Sequence, residues 1–313
     1  MIRGIKYVAL FAGALVLANC VPTPAPIETP RPTNIDLPVT GPSQTSRDYR
    51  AYYARLQQQL LTHGQLRRDG GGPDTPITKR MLVDNFAEIA LKTEYSFTNS
   101  AILNRRTNQP QSVTKYTKPV RAKMFFGANV SPKDKAKDQA EVSRYLTRLS
   151  KLTDLPVGMT NGQANMLIYV LDADEIRQID TTLKQVVPGM PKAAVDRIKA
   201  LKRAEQCVVL PSTAVNRPNE IEISIVIVRA EQPDLMRLSC FHEEIAQGFG
   251  LGNDSPRARP TIFNDDNEFA TLTSHDELLL RLLYDRRLAV GLKPADALAV
   301  VEVIAAEYFA GDS

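Results

Sequence analysis

Tryptophan is absent from this 313-residue chain, and aromatic residues make up only 6% of it. Recognition by stacking on bases or sugar rings would have few platforms to use. Dense blocks of one charge are missing as well: 39 Lys and Arg stand against 35 Asp and Glu. The basic residues of KPVRAK and PKDKAKD are scattered, as on a solvated face, so no nucleic-acid partner is expected. No Gly-x-Gly-x-x-Gly or phosphate-loop pattern argues for a nucleotide fold. No Gly-x-Ser-x-Gly frame surrounds Ser239, His242 or His275, which speaks against a Ser-His-Asp hydrolase. Internal repeats are lacking, and the longest apolar run falls short of the roughly 20 residues a spanning helix needs.

That run lies at the N-terminus, where Arg3 and Lys6 precede an apolar stretch from Tyr7 to Ala18 and then Cys20. The pattern is that of a secretory signal peptide over residues 1–19. Leu17-Ala18-Asn19-Cys20 resembles the lipobox of bacterial lipoproteins, with Asn19 where a small residue is usual. The resemblance implies that Cys20 is acylated and becomes the new N-terminus, which makes the membrane a partner through a lipid anchor. Val21 in the second mature position favours the outer membrane, facing the periplasm; plain secretion is the alternative. Two cysteines remain, Cys207 and Cys240, an even pair in a chain bound for an oxidising compartment. A disulfide between them is expected, against the alternative of two buried thiols.

Residues 20–45 carry seven prolines between Pro22 and Pro42 and read as an extended tether. Residues 46–75 read as a helix, with Tyr49, Tyr52, Tyr53, Leu56 and Leu60 at helical spacing and His63 near its end, followed by a glycine-rich loop. Residues 76–313 are expected to form a single α+β domain. Its helix through Leu82, Phe86 and Ile89 is followed by a strand through Val120, Ala122 and Met124, then by a helix through Val142, Leu146 and Leu149. ANMLIYVLD and EISIVIVRA are apolar enough for strands covered on both faces. Between them lies a helical or mixed insertion, and KPADALAVVEVIAAEYF closes the chain as a helix. The fold class is therefore α+β, a mixed sheet packed with helices.

CFHEEIAQGFGLGND, residues 240–254, has the outline of a zinc-protease helix with other residues in the ligand places. His-Glu-x-x-His works because positions i and i+4 share a helix face and reach one ion, while the Glu holds the attacking water. A register starting at His242 puts Ala246 at the second ligand position and fails. The register one residue later places Glu243 and Gln247 as ligands, Glu244 as general base, Gly250 at the turn, and Asn253 or the better ligand Asp254 at the third position. Oxygen donors suit calcium, magnesium or manganese better than zinc, so the cofactor suggested is a divalent metal ion. The alternative is a helix whose polar face carries Glu243, Glu244 and Gln247 while Ile245, Phe249 and Leu251 pack inward.

Downstream, Asp265, Asp266 and Glu268 form an acidic turn, and Ser274 is placed to cap a helix with Glu277 three residues on. His275 in that first turn is a further candidate ligand, or else a histidine hydrogen-bonded to the acidic turn. EEIAQGFGLGND, LVDNFAEIAL, VRAKMFFGANV, RYLTRLSKLT and HDELLLRLLYD together resemble a family of bacterial exported proteins and lipoproteins catalogued as domain of unknown function 2927. The resemblance covers roughly Thr78 to Leu292 and implies a zincin-like strand-then-helix arrangement with a degenerate motif helix. The function expected is a lipid-anchored binding or assembly module of the cell envelope, with a protein or peptide partner and no turnover. The alternative is an atypical metal-dependent hydrolase, a peptidase, with Glu244 as general base.

Overall fold

The computed structural model describes residues 41–310 except 73, 94–95, 99–100, 104–108, 188, 215 and 265, and of 96–98 and 101–103 only the backbone. Cys20, the signal segment, the tether up to residue 40 and Asp265 lie outside the described residues. Among those described, no helix is long and apolar enough to cross a membrane.

In chain order the elements are α1 (Gln44–Thr62), α2 (Lys79–Ala90), β1 (Lys92–Thr93), β2 (Ser96–Thr98), β3 (Ala101–Leu103), β4 (Gln109–Pro110), β5 (Val120–Phe126) and α3 (Pro132–Thr153). There follow β6 (Val157–Met159), β7 (Met166–Leu171), α4 (Ala173–Ile176), α5 (Asp180–Val186), α6 (Lys192–Lys199), β8 (Cys207–Ala214) and β9 (Arg217–Arg229). The chain closes with α7 (Asp234–Gly248), α8 (Ser274–Tyr284) and α9 (Pro294–Tyr308). The main sheet has the order β6-β5-β7-β9-β8. Its first four strands are parallel, and β8 runs antiparallel to β9 at the edge.

The apolar runs are explained by a two-sided core. Alternate residues of a strand face opposite ways. In β7, Met166, Ile168 and Val170 enter one core while Leu167, Tyr169 and Leu171 enter another. β9 divides likewise, Val226 and Val228 against Ile225 and Ile227. The larger core is covered by α2, α3, α7, α8 and α9, the smaller by the insertion through Ile176, Ile179, Leu183, Val195 and Ile198. Helix α1 packs Tyr53 and Leu60 against Met236 at the start of α7, and His63 is its exposed C-cap.

Between β5 and β7 the direction of the connections reverses, the place where open parallel sheets usually leave a ligand crevice at the carboxyl ends of the strands. Here the chain fills it. Glu175 accepts from the N–H groups of Ala128 at 2.7 Å and Asp172 at 2.9 Å. Glu231 accepts from Ala173 N–H at 2.7 Å and from the Ser46 hydroxyl of α1 at 3.0 Å. Burial pushes both glutamates above the usual carboxylate range. A carboxyl that holds its proton more tightly folded than unfolded contributes stability below the unfolded value of about 4.3, and that contribution is lost as pH rises through the folded values. The stability that these two carboxyls contribute, read by urea unfolding as the difference between this protein and a Glu175→Gln, Glu231→Gln variant, is therefore expected to shrink as pH rises over the mildly acid range. Parallel pH curves for the two proteins would contradict this.

Candidate functional site

Helix α7 leaves the end of β9 and runs through the interior, burying Met236, Phe241, Ile245 and Ala246. Its first turn is pinned by Arg237, whose guanidinium meets Asp138 of α3 at 3.0 Å and donates to Gln232 O at 2.6 Å. Near its middle, Cys240 is bonded to Cys207 of β8, with Cα atoms 5.9 Å apart. The expected disulfide is thus present, and it ties the edge strand to the motif helix. At the other end Gly248 packs beneath β7, β8 and β9: a Cβ there would lie 3.3–3.4 Å from Val209, Met166 and Ser224. Gly250 then turns the chain at φ +117°.

These restraints leave a groove of about 440 Å³ between β8 and α7. Cys207, Val208, Val209 and Pro211 form one wall, and Glu243, Glu244 and Gln247 the other. Asp254 and Gly252 close one end, while Arg197, Leu201 and Glu205 reach in from the insertion. Glu244, Gln247 and Asp254 are more than nine-tenths buried yet line this space. The i and i+4 residues of the motif therefore do share a face that opens into a groove. Ile245, Phe249 and Leu251 are fully buried on the other side, so the inward-packing reading of those three holds as well.

Four of the six residues singled out for metal chemistry, Glu243, Glu244, Gln247 and Asp254, meet in this groove. Asn253 does not line it, and neither does His275. It is fully buried at the start of α8, with Nε2 3.2 Å from Asn85 Nδ2 of α2. The cap of that helix is Thr273 rather than Ser274, because Asp276 rather than Glu277 completes the capping box while also accepting from Thr261 and Ile262.

The donor set is hard. Carboxylate oxygens of Glu243 and Glu244 come within 4.8 Å of each other and of Cys207 Sγ. That sulfur is committed to the disulfide and offers no thiolate to an ion. Gln247 Nε2 donates to Asp254 Oδ1 at 2.8 Å, which fixes both side chains against each other. What remains is oxygen, suited to calcium or magnesium and poor for zinc. Arg197, Glu205 and the Cys207 sulfur were not foreseen as groove residues; they come from the insertion and the edge strand, which carry no motif.

His242 turns the other way. Burial, with Arg148 and Arg68 nearby, lowers its imidazole to about 3. Its ring stacks on Tyr145 at a centroid distance of 3.9 Å, and the Leu272 N–H donates to its Nδ1 at 3.0 Å.

Fold and groove together define an α+β domain with a two-sided mixed sheet and an acidic cleft beside its antiparallel edge strand. The model of the family described as protein of unknown function (DUF2927) matches residues 79–303, and the chain belongs to that family. No curated protein and no solved structure matches it.

Proposed function

We propose that the chain is a lipid-anchored cell-envelope protein that binds rather than turns over its ligand, and that the β8–α7 groove receives an extended, positively charged segment of a partner protein or peptide. One observation carries the reading: Glu243, Glu244 and Asp254 place three carboxylates along a groove beside the sheet edge, with no imidazole among the lining residues. An extended segment can add to a sheet edge by main-chain hydrogen bonds while flanking pockets read its side chains. Pro211 has no N–H to offer, which confines such pairing to the stretch from Cys207 to Leu210. The passage from β9 into α7 supports a zincin-like scaffold whose ligand positions hold Glu243 and Gln247 in place of imidazole. Cys20 and the proline-rich segment behind it support an anchor at the outer membrane.

A second reading, the metal-dependent hydrolase, draws on the proximity of the Glu243 and Glu244 carboxylates. In it Glu243, Gln247 and Asp254 would hold a divalent ion that polarises a carbonyl, and Glu244 would orient water. Elemental analysis of the mature chain, purified without chelators beside a Glu243→Ala, Gln247→Ala variant, separates the two. Binding without turnover predicts no stoichiometric ion. It also predicts that a labelled lysine-rich extended peptide binds, in fluorescence anisotropy, at least about tenfold more weakly to Glu243→Gln, Glu244→Gln, in line with loss of complementary charge. A stoichiometric ion that the variant loses would overturn it in favour of the hydrolase, and equal binding of a glutamate-rich peptide would overturn the charge argument.

A further inference from the structure

The histidine that neither metal register can use lies at a second pocket, of about 210 Å³, which shares no lining residue with the acidic groove. Helix α3 contributes Glu141, Arg144, Tyr145 and Arg148, spaced i, i+3, i+4 and i+7 and so on one helix face. Arg68 reaches the pocket from the loop after α1, and Thr271 from the segment before α8. Its lining carries three guanidinium groups against the single carboxylate of Glu141.

The hydrogen bonds dictate what His242 can do there. Because the Leu272 N–H donates to Nδ1, that nitrogen carries no proton, and the neutral ring bears its proton on Nε2. Stacking on Tyr145, whose hydroxyl donates to His242 O at 2.8 Å, holds the ring in this orientation. His242 is 7% exposed, it lines the pocket, and its Nε2–H has no acceptor among the described residues. It is a nearly buried donor without a partner beside a cluster of positive charge.

The cations differ in how far they are engaged. Arg148 is fixed, its Nε donating to Glu277 at 2.6 Å and its Nη2 to Leu272 O at 3.1 Å. Arg144 pairs with Glu141 at 2.5 Å and is two-thirds exposed. Arg68 is exposed and has no acidic partner among the described residues. Two exposed forks and one buttressed one around an N–H donor held by stacking suit a ligand with several acceptor oxygens, since guanidinium pairs with phosphate bidentately.

We propose that this pocket is an anion site that takes a phosphate group, with His242 Nε2–H donating to one oxygen and Arg68 and Arg144 closing on the others beside Arg148. Free phosphate and the phosphodiester of a lipid headgroup share the chemistry the pocket recognises.

The test uses the mature chain and two soluble probes, inorganic phosphate and glycerophosphoglycerol, the deacylated headgroup of an anionic phospholipid. Chloride at matched ionic strength is the control. The readout is the ¹⁵N resonance of the His242 ring, whose Nε2–H tautomer has a signature of its own. A saturable shift with a Kd of about 1 mM is expected for at least one probe, weakened about tenfold or more in Arg68→Gln, Arg144→Gln. Both substituted side chains are exposed, so the variant should fold, and an unchanged Tm would show that it does. A response to phosphate alone assigns the site to a soluble ligand, and a response to the diester assigns it to a headgroup. No shift beyond the chloride control, or an equal shift in the double variant, would overturn the proposal.

Discussion

Replacing Gly250 with alanine is expected to destabilise the protein by about 3 kcal/mol or more, a drop in Tm of roughly 6–12 °C for a domain of this size. Two costs add. The backbone sits at φ +117°, where a side chain is strained whatever the space. A Cβ there would also lie 2.2 Å from the Thr114 carbonyl oxygen and 3.2 Å from Leu283. Thr114 cannot step aside cheaply, because its neighbours are tied down: Val113 N–H donates to Leu292 O at 2.9 Å, and the buried Lys115 ammonium donates to Leu283 O at 2.6 Å. The turn also sends the chain back to Asn253, whose backbone and side chain bind the end of α2, and so sets Asp254 against Gln247. Peptide binding at the groove should fall together with stability. Gly252→Ala is the control, since a Cβ there meets nothing within 4 Å. Urea unfolding that finds the two variants equally stable would refute the steric account.

What could be read from the chain follows from the range over which each feature is decided. The apolar runs of β7 and of the second half of β9, from Ser224 onward, announced strands covered on both faces, because burial of every residue there leaves no polar alternation. The spacing of Glu243 and Gln247 placed them on one face, since helical geometry alone settles that. The cap of α8 was ambiguous locally: Thr273 with Asp276 and Ser274 with Glu277 both have capping-box spacing. The choice falls to Asp276 because Thr261 and Ile262 donate to it from another loop. His275 was legible as a histidine near a helix start, but its partner Asn85 is 190 residues away. The same holds for Arg237 and Asp138, 99 residues apart, whose pairing orients the motif helix. Contacts of that range leave no periodic trace in the chain.

Removing the Cys207–Cys240 bridge, by reduction or in Cys207→Ser, Cys240→Ala, is expected to cost about 2–4 kcal/mol through the closed loop it frees in the unfolded chain. The bridge spans a sequence separation of 33 and encloses all of β9. Its effect on the site is separable from its effect on stability. β8 is an edge strand, paired among the described residues with β9 alone, and its residues Cys207, Val208, Val209 and Pro211 form a groove wall. Without the bridge, β8 is held to α7 by packing such as that of Val209 beside Gly248. Reduced protein kept well below its lowered unfolding midpoint should therefore bind the lysine-rich peptide more weakly than oxidised protein. Identical binding in the two folded forms would mean that the ladder with β9 sets the groove unaided. An unchanged urea midpoint after complete reduction, verified by counting two free thiols besides Cys20, would mean that packing across β8 and α7 outweighs the loop the bridge closes.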